Sequence, residues 1–399
     1  MSNQSILELG QKYVMNTYGR LPFALVEGKG TKVWDADGKE YIDFVAGLAV
    51  NALGHCHPVV TEAIREQAGK LVHCSNLYWI EPQVQLAQLL VENSCLDKVF
   101  FANSGAEANE AAIKLARKFA KLHYGEQKYE IITMRQSFHG RTLATLTATA
   151  QEKFHKGFAP LPEGFKYVPF NDYDSLAALV NEHTCAIMME PIQGEGGVYA
   201  AQGDYLHKVK KLCQEKGILL IFDEVQCGMG RTGKLFAYEH FGVEPDIMTL
   251  AKALGGGVAI GAMLAKDKVA AAFQPGDHAS TFGGNPLAMA AGLAATKIIA
   301  DGKFLAKVQE TGAYFKNKLE LLAQKFSFIQ EVRGEGLILG VELTIPGGDI
   351  VNSCLEKGLL INCTNQTVLR FLPPLIVEKT EVEQTVEILS QSLNEVQEG

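Results

Sequence analysis

The sequence lacks the features that would direct a protein to a membrane or to nucleic acid. No stretch approaches the ~18 consecutive apolar residues that a membrane-spanning helix needs. The chain carries 37 Lys and Arg residues against 45 Asp and Glu residues, a formal net charge of −8, so it has no basic excess for a general nucleic-acid surface. Anionic small molecules would have to be bound by a few individually placed arginines.

The cysteines form neither a CxxC pair nor a dense framework, which argues against a disulfide scaffold and favours reduced thiols. The first residues, MSNQSILELGQKYVMNTYGRLP, contain neither a long apolar core nor an Arg- and Ser-rich amphipathic leader. We therefore expect a cytoplasmic protein. Its eight cysteines are scattered over positions 56, 74, 95, 185, 213, 227, 354 and 363.

Length and composition indicate a globular chain with room for two domains. It has 399 residues, of which 47% are hydrophobic and 9% aromatic, and a domain takes roughly 100–200 residues. From Lys98 onward, short apolar runs alternate with amphipathic segments of helical period, which is typical of a parallel sheet covered by helices. We expect an N-terminal segment over residues 1–50, a large domain over 51–290 and a small C-terminal domain over 291–399.

Two apolar runs near the middle of the chain each lead into a charged residue. The run Ile218–Phe222 is followed at once by Asp223 and Glu224, and the run Ile247–Leu250 leads to Lys252. Runs this short predict buried parallel strands, whose ends deliver side chains to a crevice. Such an acid and lysine could simply form a salt bridge. The alternative is a catalytic lysine, because a lysine amine with a lowered pKa is a nucleophile towards an aldehyde.

A second candidate site lies where the predicted strand Lys98–Ala102 gives way to a helix. Ser104 and Gly105 stand at the helix start, where free backbone N–H groups and the positive end of the helix dipole favour a phosphate. Taken alone, the same residues also fit an ordinary helix cap.

Two further motifs suggest chemistry that their surroundings do not support. The segment GMGRTG at 228–233 matches GxGxxG, but DEVQC separates it from the preceding strand and no good helix begins at Gly233. A nicotinamide dehydrogenase needs strand, glycines and helix in immediate succession. The segment GHCHP at 54–58 has two histidines without further ligands at metal spacing, so we expect no metal there and a turn that feeds a helix beginning at Pro58.

The block DEVQ at 223–226, followed 29 positions after Asp223 by Lys252 and then by three glycines, resembles the cofactor site of the class III pyridoxal-phosphate aminotransferases. The resemblance runs from the GRLP segment at 19–22 to Pro374, and the order and spacing of its motifs make it specific. It implies the α/β fold of the aspartate-aminotransferase type (fold type I), with a mostly parallel seven-stranded sheet. It also implies that the N-terminal segment joins the C-terminal one in a small α+β domain.

The resemblance implies a site for pyridoxal 5'-phosphate. Lys252 would bind the aldehyde covalently and then move a proton, while Asp223 would keep the ring nitrogen protonated so that the ring can act as an electron sink. Gly105 and Ala106 would hold the phosphate. The remaining cofactor contacts would come from Phe138 and Val225 on the ring faces, Gln226 at the ring hydroxyl, the adjacent Glu224, and Thr281.

Substrate contacts are implied in the same way. Tyr18 and Ser280 would line the pocket, Arg141 would bind a substrate carboxylate, and Arg370 would clamp the α-carboxylate. Glu195 would act as a gate that pairs with Arg370 for one substrate and releases it for the other. The loop carrying Ser280 and Thr281 would cross to a neighbouring subunit, which makes the expected active unit a homodimer.

Within the class, the resemblance is nearest to enzymes that move the δ-amino group of N-acetylornithine to 2-oxoglutarate in arginine biosynthesis. Ornithine-specific members carry a tyrosine at the position of Gly47, and glycine leaves space for an acylated amine. Ornithine, 4-aminobutyrate and succinylated diamines stay open as alternative donors. A protein that binds the cofactor without catalysis is a further alternative, which Lys252 and the two arginines disfavour.

Overall fold

The structure, a computed structural model, describes residues 1–398. Among these residues, no helix is long and apolar enough to cross a membrane. Short 3-10 turns occur at Ala237–His240 and Lys252–Gly255. In chain order the helical elements are α1 Asn3–Tyr13, α2 Ala46–Ala49, α3 Pro58–Lys70, α4 Glu81–Glu92, α5 Gly105–Tyr124, α6 Leu143–Ala148, α7 Glu152–His155, α8 Tyr173–Leu179, α9 Gly203–Lys216, α10 Asp267–Ala270, α11 Pro286–Ile299, α12 Gly302–Lys325, α13 Gly348–Glu356 and α14 Lys379–Glu398.

Seventeen strands in the described part of the chain form four sheets. They are β1 Leu25–Lys29, β2 Lys32–Asp35, β3 Glu40–Asp43, β4 Lys98–Ala102, β5 Glu130–Met134, β6 Phe165–Val168, β7 Thr184–Met189, β8 Ile192–Gln193, β9 Tyr199–Ala200, β10 Leu219–Asp223, β11 Ile247–Leu250, β12 Gly261–Ala265, β13 Ile329–Glu335, β14 Ile338–Leu343, β15 Leu359–Leu360, β16 Asn362–Thr364 and β17 Val368–Phe371.

The largest sheet has seven strands in the order β4-β12-β11-β10-β7-β5-β6. Strand β12 runs antiparallel to both of its neighbours, and the other pairings in the sheet are parallel. The prediction of a mostly parallel seven-stranded sheet is therefore confirmed. Strands β5, β7, β10 and β11 are buried along their whole length, as expected for a sheet with helices on both faces.

Local signals fix the elements that lead into this sheet. Ser104 caps α5, because its side chain accepts a hydrogen bond from the backbone N–H of Glu107. Gly217 ends α9 in the left-handed conformation, and β10 follows directly. Pro58 is the first residue of α3, as predicted.

The N-terminal and C-terminal parts of the chain share a smaller sheet of order β1-β2-β3-β15. Strand β15 pairs in parallel with β3, so that Leu359 lies opposite Ile42. Another four-stranded sheet, β13-β14-β17-β16, is antiparallel throughout and carries Arg370 on β17. The domain boundaries at residues 50 and 290 stay a prediction.

Candidate active site

The carboxyl ends of the parallel strands border a cavity of about 430 Å³, which also meets the N-terminus of α5. In open α/β sheets, ligands bind at this edge. The structure brings nine of the predicted site residues to the cavity wall: Gly105, Ala106, Phe138, Arg141, Glu195, Asp223, Val225, Gln226 and Lys252.

Asp223 ends β10 and is buried in a set of hydrogen-bond donors. Its Oδ1 accepts the backbone N–H of Val225 at 3.0 Å. Its Oδ2 accepts a hydrogen bond from Asn109 Nδ2 at 2.7 Å and lies 2.7 Å from His139 Nδ1. Thr249 Oγ1 in turn donates to Asn109 Oδ1 at 2.7 Å. The carboxylate is therefore fixed in position, which a group that must hold one proton at one atom requires.

Sequence reasoning left three residues of this cavity without a role. Asn109 and His139 hold Asp223, and the only sequence signal for Asn109 is a polar residue on the apolar face of α5. The third is Glu190, which accepts the backbone N–H groups of Phe138 at 3.0 Å and Gly194 at 3.2 Å. Burial raises the pKa of Glu190 to about 7.

Lys252 follows β11 on a backbone with a φ of 45°, which brings its side chain to the cavity. Its amine forms no hydrogen bond or ion pair with any residue of the described chain. Burial lowers the pKa of Lys252, and the nearby Arg370 charge lowers it further, against the opposing effect of Glu195. A buried amine with a lowered pKa is suited to nucleophilic attack on an aldehyde.

Replacing Lys252 with methionine is expected to stabilise the apoprotein at neutral pH. Methionine fills similar space without a charge. Burial disfavours the charged form of the Lys252 amine, so it lowers the pKa of Lys252 below that of the unfolded chain and costs free energy of folding wherever the amine is protonated. This cost is present at neutral pH and vanishes as the pH rises to the unfolded value of about 10.4. Urea unfolding of both apoproteins across this pH range measures it. An advantage for the variant that does not shrink as the pH rises would contradict burial as the cause.

The start of α5 forms a cradle for an anion. The backbone N–H groups of Gly105 and Ala106 have no acceptor within residues 1–398, and the dipole of a 20-residue helix points at them. A Cβ at position 105 would lie 2.7 Å from Val225 Cγ1. A side chain at position 105 would therefore collide with Val225 in the loop after β10, which favours glycine at this position.

An aromatic and a cationic side chain, those of Phe138 and Arg141, also line the cavity. Phe138 is held through its backbone N–H by Glu190, and its ring packs edge-on against Phe154. The guanidinium of Arg141 lies 3.9 Å from the ring centroid of Phe154 and 5.3 Å from that of Phe138. These contacts hold a planar, bidentate donor at the cavity, and no carboxylate of residues 1–398 forms an ion pair with it.

Arg370 is buried and reaches the cavity through an ion pair. Its Nη1 donates to Glu195 Oε1 at 2.8 Å and to Gln226 Oε1 at 3.2 Å. Burial alone would raise the pKa of Glu195, but the charges of Arg370 and Lys252 and the hydrogen bonds outweigh it and lower the pKa below its usual value. The two residues thus form an ion pair in this structure, and the gate role of Glu195 stays a prediction.

Four predicted residues lie elsewhere. Glu224 does not face the cavity, because its two carboxylate oxygens accept the backbone N–H groups of Ala237 at 2.6 Å and Tyr238 at 2.8 Å. Glu224 thus holds the following loop through these two hydrogen bonds, and its role as a cofactor ligand stays a prediction. The three others, Tyr18, Ser280 and Thr281, stand outside this chain's own cavity.

The GxGxxG segment has no room for a dinucleotide. A Cβ at Gly230 would lie 2.7 Å from Ile299 Cγ2, and Arg231 is buried, with Nη1 donating to the carbonyls of Leu337 and Pro373. The loop is packed against the C-terminal part of the chain and leads to the 3-10 turn Ala237–His240. A pyrophosphate at a helix N-terminus, which the dehydrogenase alternative requires, does not fit here.

Comparison with known proteins decides the family. The family model "Aminotransferase class-III" matches residues 13–393. The chain belongs to the class III aminotransferases. It is 57% identical over 396 residues to a protein of Methanocaldococcus jannaschii named acetylornithine aminotransferase, covering 99% of this chain and 100% of that one.

Solved structures of class III aminotransferases share the fold. N-acetylornithine aminotransferase from Stenotrophomonas maltophilia superposes with a TM-score of 0.84 at 39% identity, covering 98% of this chain and 99% of that one. Ornithine aminotransferase from Toxoplasma gondii, in a structure with partial occupancy of pyridoxal phosphate at the active site, gives a TM-score of 0.94 at 35% identity and covers 99% and 95% of the two chains.

Class III aminotransferases use pyridoxal 5'-phosphate, and the residues of this cavity fit that cofactor. The unpaired N–H groups at Gly105 and Ala106 suit its phosphate, and the fixed carboxylate of Asp223 suits a protonated ring nitrogen. The unpaired amine of Lys252 suits its aldehyde.

Proposed function

We propose that this class III aminotransferase moves the δ-amino group of N2-acetylornithine to 2-oxoglutarate and so forms N-acetylglutamate 5-semialdehyde and glutamate. The observation that carries the proposal is the buried Arg370–Glu195 pair beside an uncompensated Arg141. In such a site, an amine with one carboxylate binds Arg141 while Arg370 stays paired with Glu195. A dicarboxylate can bind both arginines once Arg370 leaves Glu195. The name of the relative at 57% identity supports the choice of donor.

The residues of the cavity divide the work between them. Bound pyridoxal phosphate supplies an electron sink for the carbon that carries the amino group. Asp223 holds the proton on the ring nitrogen, and its own partners Asn109 and His139 keep it in place. Lys252 Nζ would take the proton from the substrate carbon and deliver it to the cofactor carbon that keeps the amino group, and would move a proton in the reverse direction when the oxo acid reacts. Gly105 and Ala106 anchor the phosphate through their backbone N–H groups.

The two arginines orient the substrates. Arg141 binds the α-carboxylate of N-acetylornithine, which leaves the δ-amino group directed at Lys252. When 2-oxoglutarate binds, Arg141 takes the distal carboxylate, and Arg370 leaves Glu195 to take the α-carboxylate. Glu195 thereby prevents an unpaired buried cation while the amine is bound.

Replacing Glu195 with glutamine is expected to shift the balance between the two substrates. The glutamine side chain is neutral, so Arg370 no longer has to leave an ion pair before the oxo acid binds. We expect kcat/KM for 2-oxoglutarate to rise about tenfold relative to that for N-acetylornithine, which corresponds to about 1.4 kcal/mol. Separate half-reaction kinetics measure the ratio. Glu342→Gln, which removes the charge of one of the two carboxylates paired with Arg333, at 2.6 Å, is the matched control and should leave the ratio unchanged.

A comparison of amino donors tests the proposed function directly. Purified enzyme is given 2-oxoglutarate with N-acetylornithine, ornithine, 4-aminobutyrate or a succinylated diamine, and glutamate is measured. We expect the highest kcat/KM for N-acetylornithine and parallel double-reciprocal lines, because the amino group stays on the enzyme between the two half-reactions. Gly47 precedes Val50 of the cavity wall, and glycine takes less space there than the tyrosine of ornithine-specific members. A higher kcat/KM for any other donor would replace the proposed substrate.

We also propose that the active unit is a cytoplasmic homodimer in which Thr281 and Ser280 serve the partner's site. Large apolar side chains stand exposed around the hollow that contains both residues, and contiguous exposed apolar surface is typical of an interface. They are Leu77 (85% exposed), Tyr78 (68%), Trp79 (92%) and Phe282 (62%). The free state of all eight cysteines supports a reducing compartment.

Mixed subunits are expected to reveal the sharing of sites. Lys252→Ala subunits and Thr281→Ala subunits should each have low activity alone. In a mixed dimer, one site combines the intact Lys252 of one subunit with the intact Thr281 of the other, so activity should return when the two are refolded together. If Thr281 serves its own subunit's site, no mixed dimer contains an intact site and activity stays low.

A further inference from the structure

Residues 46–49 form a left-handed turn directly before Val50, which lines the cavity. The φ angles of residues 46 to 49 are all positive, at 48°, 64°, 62° and 68°, although only Gly47 lacks a side chain. The turn is closed by hydrogen bonds from Ala49 N to Val45 O at 3.0 Å and from Val50 N to Ala46 O at 2.9 Å. L-residues adopt this conformation at a cost, so the surrounding structure must hold it.

Asp43 and His55 hold the entrance of this turn. Asp43 Oδ1 accepts the backbone N–H groups of Val45 at 2.9 Å and Ala46 at 2.8 Å. Its Oδ2 lies 2.8 Å from His55 Nε2. The backbone of His55 is itself fixed by two hydrogen bonds with Gly30, at 2.8 and 3.0 Å. His55 of the GHCHP motif, for which the sequence indicated no metal, thus has a structural partner.

The turn connects this support to the active site. Val50, the residue immediately after it, lines the cavity. Ala49 is buried in an apolar cluster with Ile192, before the loop of Glu195, and with Leu372, just beyond Arg370. The turn also packs against the 3-10 turn that begins at Lys252. A change in its backbone would therefore move a wall of the cavity.

We propose that Asp43 and His55 are positioning residues for the specificity of the amino donor, acting through the left-handed turn at 46–49. This inference rests on the proposed function. N-acetylornithine is the bulkier reactant and depends on the shape of the cavity, whereas 2-oxoglutarate is held at both ends by arginines. Relaxation of the turn should therefore impair the acylated amine more than the oxo acid.

Three variants and a rescue test the inference. In Asp43→Asn and His55→Ala we expect kcat/KM for N-acetylornithine to fall about tenfold relative to ornithine, with less than about a twofold change in kcat/KM for 2-oxoglutarate. His55→Gln keeps a donor for Asp43 and should retain most of the selectivity. Adding Leu48→Gly to Asp43→Asn should restore it, because glycine adopts positive φ without strain and Leu48 is 43% exposed.

Glu40→Gln, which breaks the exposed Lys32–Glu40 pair on the neighbouring strands, is the control and should leave selectivity unchanged. If Asp43→Asn does not fold, the two His55 variants decide the question. Equal losses for all substrates, or equal selectivity in His55→Gln and His55→Ala, would overturn the inference. A wild-type enzyme without preference for N-acetylornithine over ornithine would instead contradict the proposed function itself.

Discussion

Replacing Lys252 with alanine is expected to lower kcat by about 10³-fold or more, the upper part of the range for loss of a positioned proton-transfer group. The variant loses both the covalent link to the cofactor aldehyde and the base that moves the substrate proton. Burial lowers the pKa of Lys252, whereas a lysine in solvent keeps a pKa of about 10.4 and stays protonated at neutral pH, so it cannot replace this amine. Single-turnover kinetics with N-acetylornithine would measure the loss.

A covalent readout separates this role from damage to the fold. Treatment with borohydride and pyridoxal phosphate should add the mass of the reduced cofactor to the peptide that contains Lys252, and the alanine variant should lack this label. Lys210→Ala is the matched control, because Lys210 lies on α9, 3.4 Å from Asp246 at the start of β11, and outside the cavity. Full activity in Lys252→Ala, or labelling confined to another lysine, would refute the assignment.

Strands β10 and β11 of the central sheet could be predicted from the sequence because each is a short apolar run beside a charged residue of the site. Asp223 and Lys252 follow neighbouring parallel strands, so their meeting at one edge could be expected from the pattern alone. The direction of β12 could not, since a strand buried on both faces has the same composition whether it runs parallel or antiparallel.

The direction of a side chain beyond the end of a strand also could not be predicted from the sequence. Asp223 and Glu224 are adjacent acids, and only the fold shows that one faces the cavity while the other accepts two backbone N–H groups of a later loop. Asn109 and His139 reach Asp223 from 114 and 84 positions away. Such contacts depend on tertiary packing, which no local spacing records. Thr281, which is proposed to act on a partner subunit, does not line the cavity of its own chain, so that cavity cannot reveal its role.

Replacing Asp223 with asparagine is expected to lower kcat at least about 100-fold, because the charge that holds the ring proton is lost in a buried site. The exchange also introduces a conflict, since Val225 N–H and Asn109 Nδ2 both donate towards this side chain and an amide can accept at only one of its two ends. Asp246→Asn is the matched control. Asp246 is also a buried carboxylate at this pair of strands, and it accepts the N–H of Leu220 at 2.9 Å outside the cavity.

A cofactor analogue can show that the charge, and not only the shape, of Asp223 matters. Asp223→Ala leaves space at the ring nitrogen, and pyridoxal phosphate methylated at that nitrogen carries a permanent positive charge that needs no carboxylate to keep it. We expect the analogue to recover part of the activity of Asp223→Ala and to give no gain in the wild-type enzyme, where the methyl group meets the side chain. Activity that stays equally low with both cofactors would mean that Asp223 acts by placing the ring, since a restored charge would then change nothing.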